Sequence, residues 1–388
     1  MRETEQWSGR VQTVIVGAGV IGLSIADELI RRGREVLVLE RDRPGAGATW
    51  AAGGMLAPIS EAEQLDAELV ALGQDSLLRY PSFIERLERL TGLNCGYSSE
   101  GTLWVGVNED DRAELDYLRE TLEGKGLACE PLDAKEVSRR EPHLSGRIRL
   151  GLLVEQDHQV DPRALTLSLE ESIRSRGGKL VCGAVVMEIV EEGGRVRGVS
   201  GRTTRGERFE IQLEQLVLAA GAWCDRELRH PLGEIGIRPV KGQLVRLRGP
   251  RLLRHVVRTP DVYLVPREDG ELLVGATMEE MGFDLSSTAG PAMDLLRHAW
   301  EALPGIYDLE LAEISVGLRS AVEDHLPLIG ASPVEGLFFA AGHFRNGVLL
   351  APATAHHLVR QMLDGREPRE LRPFRPSRAL DGAGEAPE

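Results

Sequence analysis

Apolar residues recur along this chain with two different periods, and their alternation predicts most of its elements. The β-branched run Val14-Ile15-Val16 leads into a glycine-rich turn, and Leu23 to Arg32 then carries apolar residues at helical spacing. A second apolar run, Val36-Leu37-Val38-Leu39, ends at Glu40, so residues 11–40 read as strand, helix and strand. Helical spacing returns over 75–91, through Leu77, Leu78, Phe83, Ile84, Leu87 and Leu90, and again over 112–126 and 291–303. Asp161-Pro162 opens a further helix as N-cap and first helical residue, ending near Gly177-Gly178. Residues 101–107, 180–190, 195–199 and 209–213 read as short strands, and 215–223 as a buried parallel strand closed by a tight turn. Alternation over 240–278, notably 262–266 and 272–275, predicts antiparallel strands. The strand 336–341 and a helix running to about Asp364 close the pattern, and no internal repeat is visible.

The expected fold class is α/β: a discontinuous Rossmann-like domain interrupted twice by an antiparallel β-rich domain. The expected boundaries are 1–85, 148–232 and 310–374 for the first, and 86–147 with 233–309 for the second. The Arg-, Pro- and Gly-rich residues 375–388 are expected to form a disordered tail.

Chemistry enters at the first turn, Gly17-Ala18-Gly19-Val20-Ile21-Gly22. In a strand–turn–helix context Gly17 permits the turn, Gly19 lets backbone approach a pyrophosphate, and Gly22 lets helix and strand pack closely. Glu40, eighteen residues beyond Gly22, is placed to accept hydrogen bonds from ribose hydroxyls. That unit binds a dinucleotide, but Glu40 suits nicotinamide and flavin forms alike. Later segments favour flavin. Residues 45–56 are small and uncharged, as suits a stretch lying against something bulky and flat. Ala219-Ala220-Gly221-Ala222-Trp223 adds a second glycine-bearing turn. The turn from Gly342 to Leu349 opens a helix whose N-terminal N–H groups would favour negative charge on a reduced ring.

Composition narrows the partners. The 388 residues hold 46 Lys and Arg against 61 Asp and Glu, a net charge of −15, which argues against nucleic acid or an anionic membrane. Cys95, Cys129, Cys182 and Cys224 show neither CxxC nor metal spacing, as expected of thiols in a reducing, cytoplasmic compartment. The first ten residues lack the apolar core of a signal peptide, and no run of eighteen apolar residues offers a membrane span.

Three further pieces are specific: Ala340 to Thr354, Tyr263-Leu264-Val265-Pro266-Arg267 with Val274 to Met278, and Gly317-Leu318-Arg319 with Pro327 to Gly330. Together with the first turn they resemble the D-amino-acid oxidase family of FAD-dependent flavoproteins over roughly residues 11–370, most closely its glycine oxidase branch, which serves thiamine biosynthesis. The resemblance implies FAD contacts at Val20, Ile21, Glu40, Arg41, Ala48, Thr49, Gly53, Gly54, Met55 and Val186. It adds His343, Phe344, Arg345, Asn346, Gly347, Val348 and Leu349. Related sarcosine oxidases attach flavin through a cysteine near position 319; no cysteine follows Cys224 here, so FAD is expected to be non-covalent.

The same resemblance gives Arg319 the substrate carboxylate, for which a planar two-donor guanidinium is suited. A structural arginine paired with Glu323 or Asp324 is the alternative. Tyr263 would assist at the carboxylate, or be an ordinary strand aromatic. Arg345 would serve carboxylate or cofactor. Met278 would narrow the cavity, or simply fill core. His343 suits backbone contact in its turn better than service as a base. The implied reaction oxidises glycine, or another small amine or D-amino acid, to an imine with dioxygen yielding hydrogen peroxide, in a homo-oligomer and often a tetramer. A D-amino-acid dehydrogenase using another electron acceptor is the near alternative, and an inactive flavin-binding scaffold the distant one.

Overall fold

The computed structural model describes residues 7–62, 65–226 and 228–381. Among them, two eight-stranded sheets account for most of the β-structure. The first grows from the strand Trp7–Val16, which pairs in parallel with Val36–Glu40 on one side and with Arg208–Leu218 on the other. Lys179–Cys182 and Leu337–Ala341 extend the parallel set outward. Val14, Ile15, Val38 and Val217 are fully buried, as strands covered on both faces require. The helices Val20–Arg31, Ala67–Thr91, Pro162–Ser175 and Gly347–Asp364 supply one cover, and their apolar faces share one core with Ile15, Val38 and Val217.

Two strand expectations change. The run 180–190 is not one strand: it breaks at Gly183, whose φ of +73° turns the chain. Residues 179–182 stay parallel, whereas Ala184–Glu192 runs antiparallel to Arg195–Thr203. Conversely, 209–213 and 215–218 are a single strand, antiparallel to Arg195–Thr203 in its first part and parallel to Leu337–Ala341 in its last. Glu214, the polar residue between them, is exposed and faces Arg10 at 3.5 Å.

The second sheet runs Glu310–Ala321, Arg238–Arg248, Glu271–Gly275, Tyr263–Pro266, Val256–Arg258, Thr102–Gly106, Leu150–Val154, Glu130–Asp133. Leu150–Val154 and Glu310–Ala321 therefore leave the segments expected to belong to the first sheet. The former pairs antiparallel with Thr102–Gly106, and the latter with Arg238–Arg248 along its whole length. An apolar run announces a strand without naming the sheet that receives it.

The helix expected over 75–91 starts at Ala67. Residues 377–381, expected in the disordered tail, form a short helix, and Arg378 donates to Asp324 at 2.6 Å and to the Leu326 carbonyl at 2.9 Å. Residues 382–388 of that tail lie outside the described residues.

Candidate active site

The two sheets meet around a cavity of about 440 Å³, lined by the first glycine-rich turn, Glu40 and Arg41 from one side and by Tyr263, Met278 and Arg319 from the other. Its glycines play different parts. Gly17 has φ +105°, and a Cβ there would lie 2.4 Å from the Ala219 carbonyl oxygen, so no side chain is possible. Gly22 does not line the cavity; its Cβ would lie 2.0 Å from the Gly17 carbonyl oxygen, so it serves close packing. At Gly19 the nearest atom to a Cβ is Thr49 Oγ1, at 3.5 Å. A side chain at 19 would be tolerated by the protein and would fill the cavity.

That space lies at the start of the helix Val20–Arg31, which has no side-chain cap of its own. Val20 N–H donates to Thr49 Oγ1 at 3.1 Å. Unpaired N–H groups at such a terminus suit a phosphate. The Glu40 carboxylate is held at the strand end by the N–H groups of Ala18 (2.7 Å) and Asp42 (2.8 Å). These residues fit the pyrophosphate and ribose of a dinucleotide.

The small-residue stretch is packed between the sheets, which is why it carries no charge. A Cβ on Gly317 would lie 2.7 Å from that of Ala51, and one on Gly53 would lie 3.2 Å from the Tyr263 ring. Arg267 donates to the Gly53 carbonyl at 2.7 Å and to Gln159 at 2.8 Å, and burial lowers its pKa to about 10. Ala48, Thr49, Gly53, Gly54 and Met55 thereby face the cavity, as do Val186 and Gly221.

The third turn, His343 to Leu349, lines the same cavity and is fixed through a helix defect. Pro352 lacks the N–H that would bond the Val348 carbonyl. The Tyr80 hydroxyl donates to that carbonyl instead. Ser76 Oγ donates to the Leu349 carbonyl at 2.6 Å and accepts from Ala353 N–H at 3.2 Å. Two buried side chains of Ala67–Thr91 thus repair and aim the first turn of Gly347–Asp364. His343 Nε2 pairs with Thr354 Oγ1 at 3.1 Å, and burial pushes its imidazole down to about 3, leaving it neutral.

At the Arg319 end of the cavity, glycines make room for two large side chains. Tyr263 pairs across the sheet with Gly275, where a Cβ would lie 2.5 Å from the phenol ring. A Cβ on Gly242 would lie 2.3 Å from the Arg319 guanidinium. Arg319 Nη1 donates to the carbonyls of Thr277 (3.0 Å) and Lys241 (3.3 Å), while Asp324 takes Arg378, so the structural ion pair with Asp324 is not made. Burial lowers the Arg319 pKa, yet a guanidinium remains charged. The Tyr263 hydroxyl makes no hydrogen bond within the described residues, and burial raises its pKa.

Arg345 lies 3.6 Å from Glu61, which also holds Arg258 at 2.6 Å. Burial raises the Glu61 pKa, but Arg258, Arg345 and Arg319 outweigh it and keep the carboxyl below its usual range. Glu61 and Arg258 both line the cavity, and sequence reasoning missed them. Glu61 sits in a polar stretch that reads as solvated loop, and its partner is 197 residues away. Met278 stands at the rim with 65 % of its surface exposed, so it bounds the opening rather than the interior. Beside it Thr277 is tied inward through its hydroxyl, which accepts from Gln243 N–H at 2.8 Å.

A cavity lined by a glycine-rich turn at a helix start, a strand-end glutamate, and Arg319 with Tyr263 has counterparts among known proteins. The family model described as FAD dependent oxidoreductase (DAO) matches residues 12–361. The chain belongs to this family. It is 38 % identical over 347 residues to the Bifunctional protein ThiO/ThiG of Trichormus variabilis, covering 88 % of this chain and 51 % of that protein. It thus spans about half the length of that relative, and of two other proteins so named. It is 33 % identical to the Glycine oxidase of Geobacillus kaustophilus, over 97 % of this chain and 99 % of the relative. The crystal structure of glycine oxidase from Geobacillus kaustophilus superposes with a TM-score of 0.85 at 32 % identity, covering 94 % of this chain and 98 % of that one. The family's cofactor is FAD. No helix among the described residues is long and apolar enough to cross a membrane.

Proposed function

We propose that this protein oxidises glycine and other small amines or D-amino acids, yielding the imine and hydrogen peroxide. The observation that carries the reading is the pairing of Arg319 with Tyr263 in the cavity that fits FAD. Arg319 is braced through Nη1 by two carbonyls, which orients its plane toward a carboxylate. The unpaired Tyr263 hydroxyl offers a second donor. Bound FAD would supply the two-electron acceptor for the amine, with dioxygen as the terminal oxidant that is reduced to hydrogen peroxide.

The chain's own residues bind, orient and balance charge. The first turn of Gly347–Asp364 points uncapped N–H groups at the cavity and favours negative charge there. Among the described residues lining the cavity neither candidate serves as a base: burial makes the His343 imidazole a weak proton acceptor, and Glu61 is committed to Arg258 and Arg345. The amine enters as free base, and the imine hydrolyses in water, giving glyoxylate and ammonia from glycine.

Non-covalent FAD is supported by the cavity lining, in which none of the four cysteines takes part. The likeness to glycine oxidases and to about half of the bifunctional ThiO/ThiG relatives supports a place in the thiazole branch of thiamine biosynthesis, in the cytoplasm. A homo-oligomer, tetrameric as in the resembling branch, is part of the same reading. Incubation with glycine in air should yield glyoxylate and peroxide in equal amounts. Turnover only with an artificial dye acceptor would replace the oxidase with the dehydrogenase.

A further inference from the structure

Residues 277–288 lie between the second sheet and the helix Ala289–Ala302, and their anchors tie the two sides of the cavity together. The segment begins at Thr277, whose carbonyl braces Arg319. Two side chains of Arg238–Arg248, both fully buried, then hold it. Gln243 donates to Glu279 and to Thr288 Oγ1, each at 2.9 Å, and accepts from Thr288 N–H at 2.9 Å, fixing both ends. Lys241 holds Asp284 at 2.6 Å near the middle. A buried ammonium stripped of its partner is strongly disfavoured, so Asp284 is a firm anchor.

Between these anchors Phe283 reaches the turn that follows Arg208–Leu218. Its ring centroid lies 6.0 Å from that of Trp223, and the Arg226 guanidinium lies 4.1 Å from the Phe283 centroid. Trp223 in turn carries the Arg41 guanidinium at 4.4 Å and lies 3.5 Å from where a Cβ on Gly47 would stand. Trp223, Arg41 and Arg226 line the cavity, and Phe283 does not.

We propose that residues 277–288 form a strap holding the cofactor-side wall, with Phe283 positioning Trp223 for the retention of FAD. Trp223 is wedged between Arg41, Gly47 and Phe283, and of these only Phe283 comes from the substrate side of the cavity. The anchor at Asp284 keeps Phe283 in register with the turn. The inference rests on the cofactor and is independent of which amine is oxidised.

The test follows FAD release from the holoenzyme after dilution, by the rise in flavin fluorescence. Phe283→Ala and Asp284→Asn should each release FAD roughly fivefold faster than the unaltered protein, the scale of one lost aromatic contact. Phe283→Tyr keeps the ring and should restore the slow rate. Leu285→Ala, at an exposed position of the same strap, should release FAD as the unaltered protein does. Unchanged release from both Phe283→Ala and Asp284→Asn would overturn the proposal. So would equal acceleration by Leu285→Ala, or a failure of Phe283→Tyr to restore the rate.

Discussion

At the residue scale the proposed carboxylate clamp at Arg319 and Tyr263 makes the strongest demand. Arg319→Ala should keep FAD but lose over about a hundredfold in kcat/KM for glycine, since one partner of a desolvated ion pair would be missing. Lys should rescue little, because an ammonium cannot reproduce the two parallel donors. Steady-state peroxide release measures both, and a near-normal specificity constant in Arg319→Ala would place the carboxylate elsewhere. Asp157, beneath the loop that carries Glu61, makes a different prediction. It is fully buried, accepts from Ile59 N–H at 3.3 Å, and has its second oxygen unpartnered. Burial, aided by Glu61, raises its carboxyl to about 7 against the pull of Ser60, Ile59 and Thr102. The folded state therefore binds this proton more tightly than the unfolded chain. The resulting stabilisation is complete below about pH 4 and lost as pH rises through about 7. Asp157→Asn keeps the neutral shape, so its melting temperature should gain on the unaltered protein as pH rises from about 4 to about 7 and hold that gain above it. Parallel pH profiles for the two would contradict the assignment.

At the element scale the terminal helix shows how a defect becomes a support. Pro352 frees the Val348 carbonyl, and Tyr80 satisfies it from a buried position. Tyr80→Phe should cost about 1–3 kcal/mol in urea unfolding, because the carbonyl would stay buried without a donor. It should also alter the visible flavin spectrum, since Val348 and Leu349 line the cavity. A variant matching the unaltered protein in both would show that the helix repairs itself. The sequence announced this helix and its turn, yet not the repair, because Ser76 and Tyr80 lie some 270 positions away and look like ordinary helix residues. The same divide holds elsewhere. Strand–turn–helix order, the Asp161 cap and the apolar runs are local signals and could be read directly. The sheet to which Leu150–Val154 and Glu310–Ala321 belong, the break at Gly183, and the Glu61–Arg258 pair depend on distant partners and could not.

At the scale of the whole molecule, the cofactor should act as part of the fold. The cavity is bounded by both sheets, so a bound dinucleotide would touch the parallel sheet through Gly19 and Glu40 and approach the antiparallel sheet at Tyr263 and Arg319. A ligand that binds only the folded chain stabilises it by mass action, about 2.7 kcal/mol at a hundredfold excess over Kd. The apoprotein should therefore melt lower than the holoenzyme, and its melting temperature should climb with added FAD. With Cys95, Cys129, Cys182 and Cys224 all outside the cavity lining, nothing there is placed to form a thioether to the flavin. Acid precipitation should leave the yellow colour in the supernatant as free FAD. Gly19→Val should fold, since its side chain meets little protein, yet it should remain colourless and melt at the apoprotein temperature whether or not FAD is added. A yellow pellet after acid would overturn the non-covalent assignment, and a yellow Gly19→Val protein would move the phosphate cradle away from the first turn.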